Sequence, residues 1–139
     1  MQAHAQTDKP LLVLVAGPYR AGTGDDPAKL DANVAAMNRV ALQVFNAGHT
    51  PITGEAVALP LVELAGSERV GDAAFDAIFH PLARRLVVRC DAVLRTGGDS
   101  AGADEMVALA RDAGKLVFTS VDELPTPPGQ PARSWGERQ

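Results

Sequence analysis

Residues 90–119, CDAVLRTGGDSAGADEMVALARDAGKLVFT, constrain the fold more than any other part of the chain. The short apolar run at 91–94 fits a strand buried on both faces, and Gly97 and Gly98 end it. Ser100 stands at a helix N-cap position, after which Met106, Val107, Ala110 and Ala113 recur at helical spacing. Gly114 falls where a helix C-terminus takes a left-handed residue, and 116–118 return to β character. A strand that enters a helix through Thr-Gly-Gly-Asp-Ser-Ala-Gly leaves main-chain N–H groups unpaired at the positive helix end. Such an end can hold phosphate or another anion, and the same residues also suit a well-capped turn that holds nothing.

The rest of the chain repeats this alternation. Residues 11–16, LLVLVA, are the most apolar run and read as a central parallel strand that stops at Gly17-Pro18-Tyr19-Arg20. Asp26 as N-cap and Pro27 at the first helical position start a helix with Leu30, Val34, Met37, Ala41 and Val44 on one face, and Gly48 ends it. Residues 49–53 form a second short strand that closes on Gly54-Glu55. Between 56 and 89 the pattern predicts two or three helical pieces. Pro60 interrupts the first apolar stretch, and Pro81 restarts or kinks a helix carrying Phe75, Ile78, Phe79, Leu82 and Leu86, with His80 as its cap or an acid. This middle has more apolar surface than a short connection needs, which marks a pocket wall or a subunit interface and predicts a homo-oligomer.

Strand–helix alternation of this kind predicts an α/β fold: a flavodoxin-like doubly wound parallel sheet of four to five strands in three α/β/α layers. Ligands of such sheets bind beyond the C-terminal strand ends, at the point where strand order reverses. With the first and third strands adjacent, the loops after them, 17–20 and 95–98, face one cleft. Glu55 stands near its edge, exposed unless the middle helices fold over it. The predicted layout is a flexible N-terminus at 1–10, one domain at 11–124, and a proline-rich tail at 125–139 with Pro125, Pro127, Pro128 and Pro131.

Composition narrows the partners. A formal charge of −4 disfavours broad contact with nucleic acid or an anionic membrane surface while leaving room for one small basic pocket. No apolar run approaches the roughly 18 residues of a membrane span. The first ten residues lack the basic start and apolar core of a signal peptide, so a cytoplasmic location is expected. Cys90 is the single cysteine, which rules out an internal disulfide, and its apolar flank predicts a buried, inert thiol. His4, His49 and His80 have no metal-binding spacing, there is no Walker A run, and Gly22-Thr23-Gly24 lacks the third glycine of a dinucleotide fingerprint. Neither a metal nor a cofactor is expected.

Taken in order, Ala16-Gly17-Pro18-Tyr19, Asn33, Gly48-His49 with Pro51, Asp91-Ala92-Val93, Ser100 with Gly102-Ala103, Ala110 and Gly114-Lys115 resemble the nucleoside 2-deoxyribosyltransferase-like superfamily. The resemblance spans residues 11–119, with the middle helices similar only in character. It implies a nucleoside or nucleotide as the small-molecule ligand, bound in an oligomer's cleft. In the enzymes of this superfamily a Glu near the start of the late helix attacks the anomeric carbon, the N-glycosidic bond breaks, and water or a second base resolves the glycosyl-enzyme. In nucleotide-cleaving members the Ser and Gly of the turn hold the 5′-phosphate with backbone amides. Ser100 and Gly102 match those positions. By the same resemblance Gly17, Gly98 and Asp99 belong to the nucleotide site, with Asp99 either binding ribose hydroxyls or only turning the chain. Tyr19 either orients a carboxylate or sugar or simply caps the core, and Arg20 adds a charge-assisted contact or is simply a solvated loop charge. Asp76 is the nearest counterpart of an acidic residue common before the third strand.

One departure divides the functional reading. The superfamily's nucleophile lies four residues after the turn glycine and eight before the glycine of Gly-Lys, and both counts arrive at Met106. Glu105 is one residue early, rotated by about 100° on a helix. A one-residue shift in the turn makes Glu105 the nucleophile of an N-glycosidase or deoxyribosyltransferase acting on a nucleoside 5′-monophosphate. Without the shift, the chain is a non-catalytic nucleotide sensor or binding module with an intact phosphate cradle.

Overall fold

Alternating side chains on the first strand set the layers. In a computed structural model, which describes residues 7–129, β1 (Leu12–Ala16) turns Val13 and Val15 to one side of the sheet and Leu14 and Ala16 to the other, and all four are buried. Burial on both faces is what an unbroken apolar strand requires. On the first side the core takes Leu30, Met37 and Val44 from α1 (Pro27–Asn46), together with Leu94 and Leu124. On the second side it takes Val87 from α3 (Ala73–Arg89) and Ala103, Met106 and Ala110 from α4 (Ala101–Asp112). The chain is an α/β protein with a three-layer, flavodoxin-like arrangement.

The sheet has four parallel strands in the order β2-β1-β3-β4, with β2 at Thr50–Thr53, β3 at Ala92–Arg95 and β4 at Leu116–Phe118. Register pairs Val13 with Pro51 on one side and with Ala92 on the other, so β1 is central. Chain order reverses between β1 and β3, and the loops that follow them open onto the same end of the sheet.

Local capping signals act as the residue types demand. The Asp26 carboxylate accepts from Lys29 N–H at 3.2 Å, and Pro27 opens α1. The middle differs from the sequence expectation in three places. Gly54 and Glu55 do not close a strand but begin α2 (Gly54–Leu64), because the Thr53 hydroxyl caps it by accepting from Ala56 N–H at 3.1 Å. Pro81 does not restart a helix, and His80 is not a cap. The cap of α3 is Asp72, whose carboxylate accepts from Phe75 N–H at 2.9 Å and Glu68 N–H at 2.8 Å. Those bonds hold the Asp72 carboxyl well below the usual carboxylate range. Buried Phe75 and Val87 then carry α3 across the N–H that Pro81 lacks. α2 packs along α3, leaving Leu61 and Leu64 on the exposed side.

The described residues on either side of the expected domain, 11–124, make contacts with it or with each other. Leu124 and Pro125 are buried, and Thr7 N–H donates to Thr126 O at 3.1 Å. His49 explains the attachment. Its Nδ1 accepts the Leu11 N–H at 2.9 Å, so the proton sits on Nε2, which donates to Pro125 O at 2.7 Å. A single buried ring thus ties the start of β1 to the first tail residues. The rest of the expected tail and the first six residues lie outside the described residues. Among the described residues, no helix is long and apolar enough to cross a membrane.

Candidate functional site

Two glycines let the loops after β1 and β3 meet. A side chain at Gly17 would come within 2.9 Å of Thr96 O, and one at Gly97, where φ is +80°, within 2.6 Å of the Pro18 ring. Thr96 N–H donates to Ala16 O at 2.9 Å across the same junction. Arg95 braces the second loop from below, with its guanidinium donating to Thr96 O at 2.6 Å, Gly98 O at 2.8 Å and the Asp104 carboxylate at 3.0 Å. In the first loop, Asn33 on α1 donates to Tyr19 O at 2.8 Å.

Above this junction lies a cavity of about 430 Å³, floored by Leu14, Val15 and Ala16 at the C-terminal end of β1. The first turn of α4 forms one wall. Ser100 caps it, its hydroxyl oxygen accepting from Ala103 N–H at 3.1 Å, and the side chain is nearly buried in the cavity lining. Ala101 and Gly102 also line the cavity, and their N–H groups belong to the turn that has no intrahelical acceptors. A side chain at Gly102 would project into open space, so the room on that side is unobstructed. This wall carries the partial positive charge of a helix end.

The opposite wall is aromatic. Tyr19 and Phe79 stack at 5.4 Å between ring centroids, and Phe75 stacks on Phe79 at 4.6 Å from behind. Burial, and then the nearby Glu55 carboxylate, push the Tyr19 hydroxyl upward, so it is a proton donor at neutral pH. His80 and Ala83 extend this wall along α3. Arg20 lines the cavity but is not a free cation. It forms a two-pronged pair with Asp25, Nε to Oδ1 at 2.9 Å and Nη2 to Oδ2 at 2.8 Å, and its guanidinium lies 5.9 Å from the Phe75 ring centre.

Glu55, expected near the cleft edge and exposed unless the middle helices fold over it, is buried at the cavity. It sits in the first turn of α2, only 8 % exposed, with its carboxyl in the cavity lining. Desolvation raises its pKa to about 7, against a smaller opposing effect from its own main-chain N–H. The signal that could have found it is the Thr53 cap: once α2 starts at Gly54, Glu55 is swung under α3 rather than left on a loop.

The remaining sequence candidates separate cleanly. Gly17, Tyr19, Arg20, Ser100 and Gly102 line the cavity; Gly98 and Asp99 do not, both being exposed on the outer side of the turn. Gly98 contributes its carbonyl to Arg95. Glu105 also turns away: it is 45 % exposed and pairs with Arg84 at 3.6 Å on the surface of α3 and α4. Met106 occupies the inward position beside it, 5 % exposed and in the cavity lining. The one-residue shift that would have put Glu105 inside does not occur, because Ser100 caps α4 and Gly114, at φ +74°, ends it in the unshifted register. Asp76 is exposed and outside the lining.

Among the described residues, no three His, Cys, Asp or Glu side chains are grouped to hold a metal ion. Cys90 is buried beneath the sheet end, its thiol pushed up to about 11 by burial. No protein-family model matches this chain, and no curated protein matches it.

Proposed function

We propose that this chain binds a nucleoside 5′-monophosphate in the cavity between the first turn of α4 and the aromatic wall, and that it does so as a binding module in which Glu105 has no part. The single observation that carries the reading is the position of the cavity. It lies at the reversal of strand order, with unpaired amides and the Ser100 hydroxyl on one side and apolar and aromatic surface on the other. The 5′-phosphate belongs at Ser100, Ala101 and Gly102, where a helix N-terminus favours an anion. The base belongs against Tyr19 and Phe79. The resemblance to the nucleoside 2-deoxyribosyltransferase-like superfamily supports the same ligand class, and Met106 at the nucleophile position supports the binding module over the enzyme.

Glycosidic cleavage keeps one observation in its favour. Glu55 brings a carboxyl into the cavity from a different element, and a group titrating near 7 suits proton transfer. Titration calorimetry with nucleosides and their 5′-monophosphates, combined with chromatography for free base, tests both readings. The monophosphates bind more tightly than the nucleosides. In Ser100→Asp, which keeps an N-cap oxygen but places a carboxylate at the anion position, that preference disappears with the fold intact. Equal affinities in the parent would remove the phosphate site, and base release from any monophosphate would replace the binding module with the enzyme.

A further inference from the structure

We infer that Glu55 selects the ligand, and that the buried end of that ligand presents two adjacent N–H donors, as the guanine ring edge does. The inference rests on the nucleotide reading of the cavity and adds the part of the ligand that this reading leaves open. Glu55 is more than nine-tenths buried and lines the cavity, yet no ion pair joins it to a cation among the described residues. Three arginines of the surrounding elements are committed elsewhere, Arg20 to Asp25 at 2.8 Å, Arg84 to Glu105 at 3.6 Å and Arg95 to Asp104 at 3.0 Å, while Arg85 and Arg89 are exposed on α3 and outside the lining. His80 shares the wall but sets its ring edge-on to Phe79 at 5.4 Å.

A carboxyl in an apolar cavity with no donor but its own main-chain N–H is unfavourable to the folded chain, and a ligand that supplies further donors reduces that penalty. The two oxygens of one carboxylate lie side by side and accept two parallel N–H groups, the arrangement that makes bidentate pairs strong. Guanine presents such a pair at N1–H and the 2-amino group. Hypoxanthine offers one donor there. Adenine places an acceptor beside its donor, so a lone pair would face the carboxylate. The low-polarity surroundings, Leu14, Ala83 and Met106, strengthen whatever hydrogen bonds are made. Phe79, stacked on Tyr19, supplies a flat face for a planar ring.

The test is titration calorimetry at pH 8 on the full chain with GMP, IMP, AMP and ribose 5-phosphate, repeated with Glu55→Gln. GMP binds more tightly than IMP or AMP by at least about tenfold, the range a bidentate base contact supplies. Glu55→Gln accepts one hydrogen bond but donates the other, so it brings GMP down to the level of IMP while ribose 5-phosphate binds as in the parent. GMP, IMP and AMP of equal affinity in the parent overturn the role of Glu55 and leave the phosphate site standing. A guanine preference that survives in Glu55→Gln overturns it as well. If ribose 5-phosphate and all three nucleotides fail to bind, the nucleotide reading itself falls and this inference with it.

Discussion

Arg20 and Asp25 hold each other by two hydrogen bonds at the rim of the cavity, and Asp25 does so at φ +61°, the left-handed region that only Asn and Asp among side-chain-bearing residues visit readily. Both side chains are about two-fifths exposed, so water screens the pair and it adds little to stability. Its effect is on availability: a phosphate that recruits Arg20 has to compete with Asp25. Asp25→Asn keeps the turn and removes the competing charge. Binding of a nucleoside monophosphate should then tighten severalfold at low salt while nucleoside affinity stays constant. Titration calorimetry of parent and variant checks this, and an unchanged ratio would assign Arg20 to the loop alone.

Burial of Glu55 makes a prediction about pH. Its pKa is about 7 in the folded chain and near the ordinary 4.5 when unfolded, so between those values the folded state holds a proton that the unfolded state has released. The contribution is therefore fully present below about pH 4.5 and lost as pH rises toward 7. Glu55→Gln removes this loss and should be more stable than the parent at pH 8 by up to about 3 kcal/mol, with the advantage gone near pH 4. Urea unfolding of both proteins at the two pH values measures the difference. A variant less stable than the parent at pH 8 would mean that the carboxylate is satisfied within the protein.

How much of the fold and the cavity is legible in the sequence depends on the range of the interaction involved. Asp26-Pro27, Ser100 and Gly114 act on their own helix ends, so residue type and position are enough to find them. The register of α4 follows from two glycine anchors, which is why spacing alone identifies Met106 as the inward residue. Glu55 is only half legible: Thr53 beside it can signal where α2 starts, but its burial comes from α2 packing along α3, which residue type and spacing do not encode. Of the two expectations at Pro81, the restart does not occur: its missing N–H is a local defect in α3, and distant packing of Phe75 and Val87 outweighs it. The contact at Pro125 is not legible because four prolines lower the chance of regular structure without preventing a carbonyl from meeting a buried histidine.

That histidine can be tested far from the cavity. His49 is 2 % exposed at the N-terminal edge of the sheet, the end opposite the ligand loops. His49→Ala withdraws the partner of Leu11 N–H and of Pro125 O together, and buried groups left this way cost about 2–4 kcal/mol in all. Urea unfolding should show a loss of that size, with nucleotide affinity unchanged in the protein that remains folded. A loss below about 0.5 kcal/mol would show that water or a local shift replaces both bonds.

Glu105 and Met106 give the contrast on which the functional reading turns. Glu105 is half-exposed in a loose surface pair, so Glu105→Ala should change stability by no more than about 0.5 kcal/mol and leave nucleotide affinity at the parent's value. Met106 lines the cavity from α4, and Met106→Ala removes buried contacts, lowering stability by about 2–4 kcal/mol and enlarging the site. Chemical denaturation and titration calorimetry on the two variants should therefore give opposite outcomes one residue apart. Lost ligand binding in Glu105→Ala, with Met106→Ala silent, would require the shifted register of α4 and return the nucleophile role to Glu105.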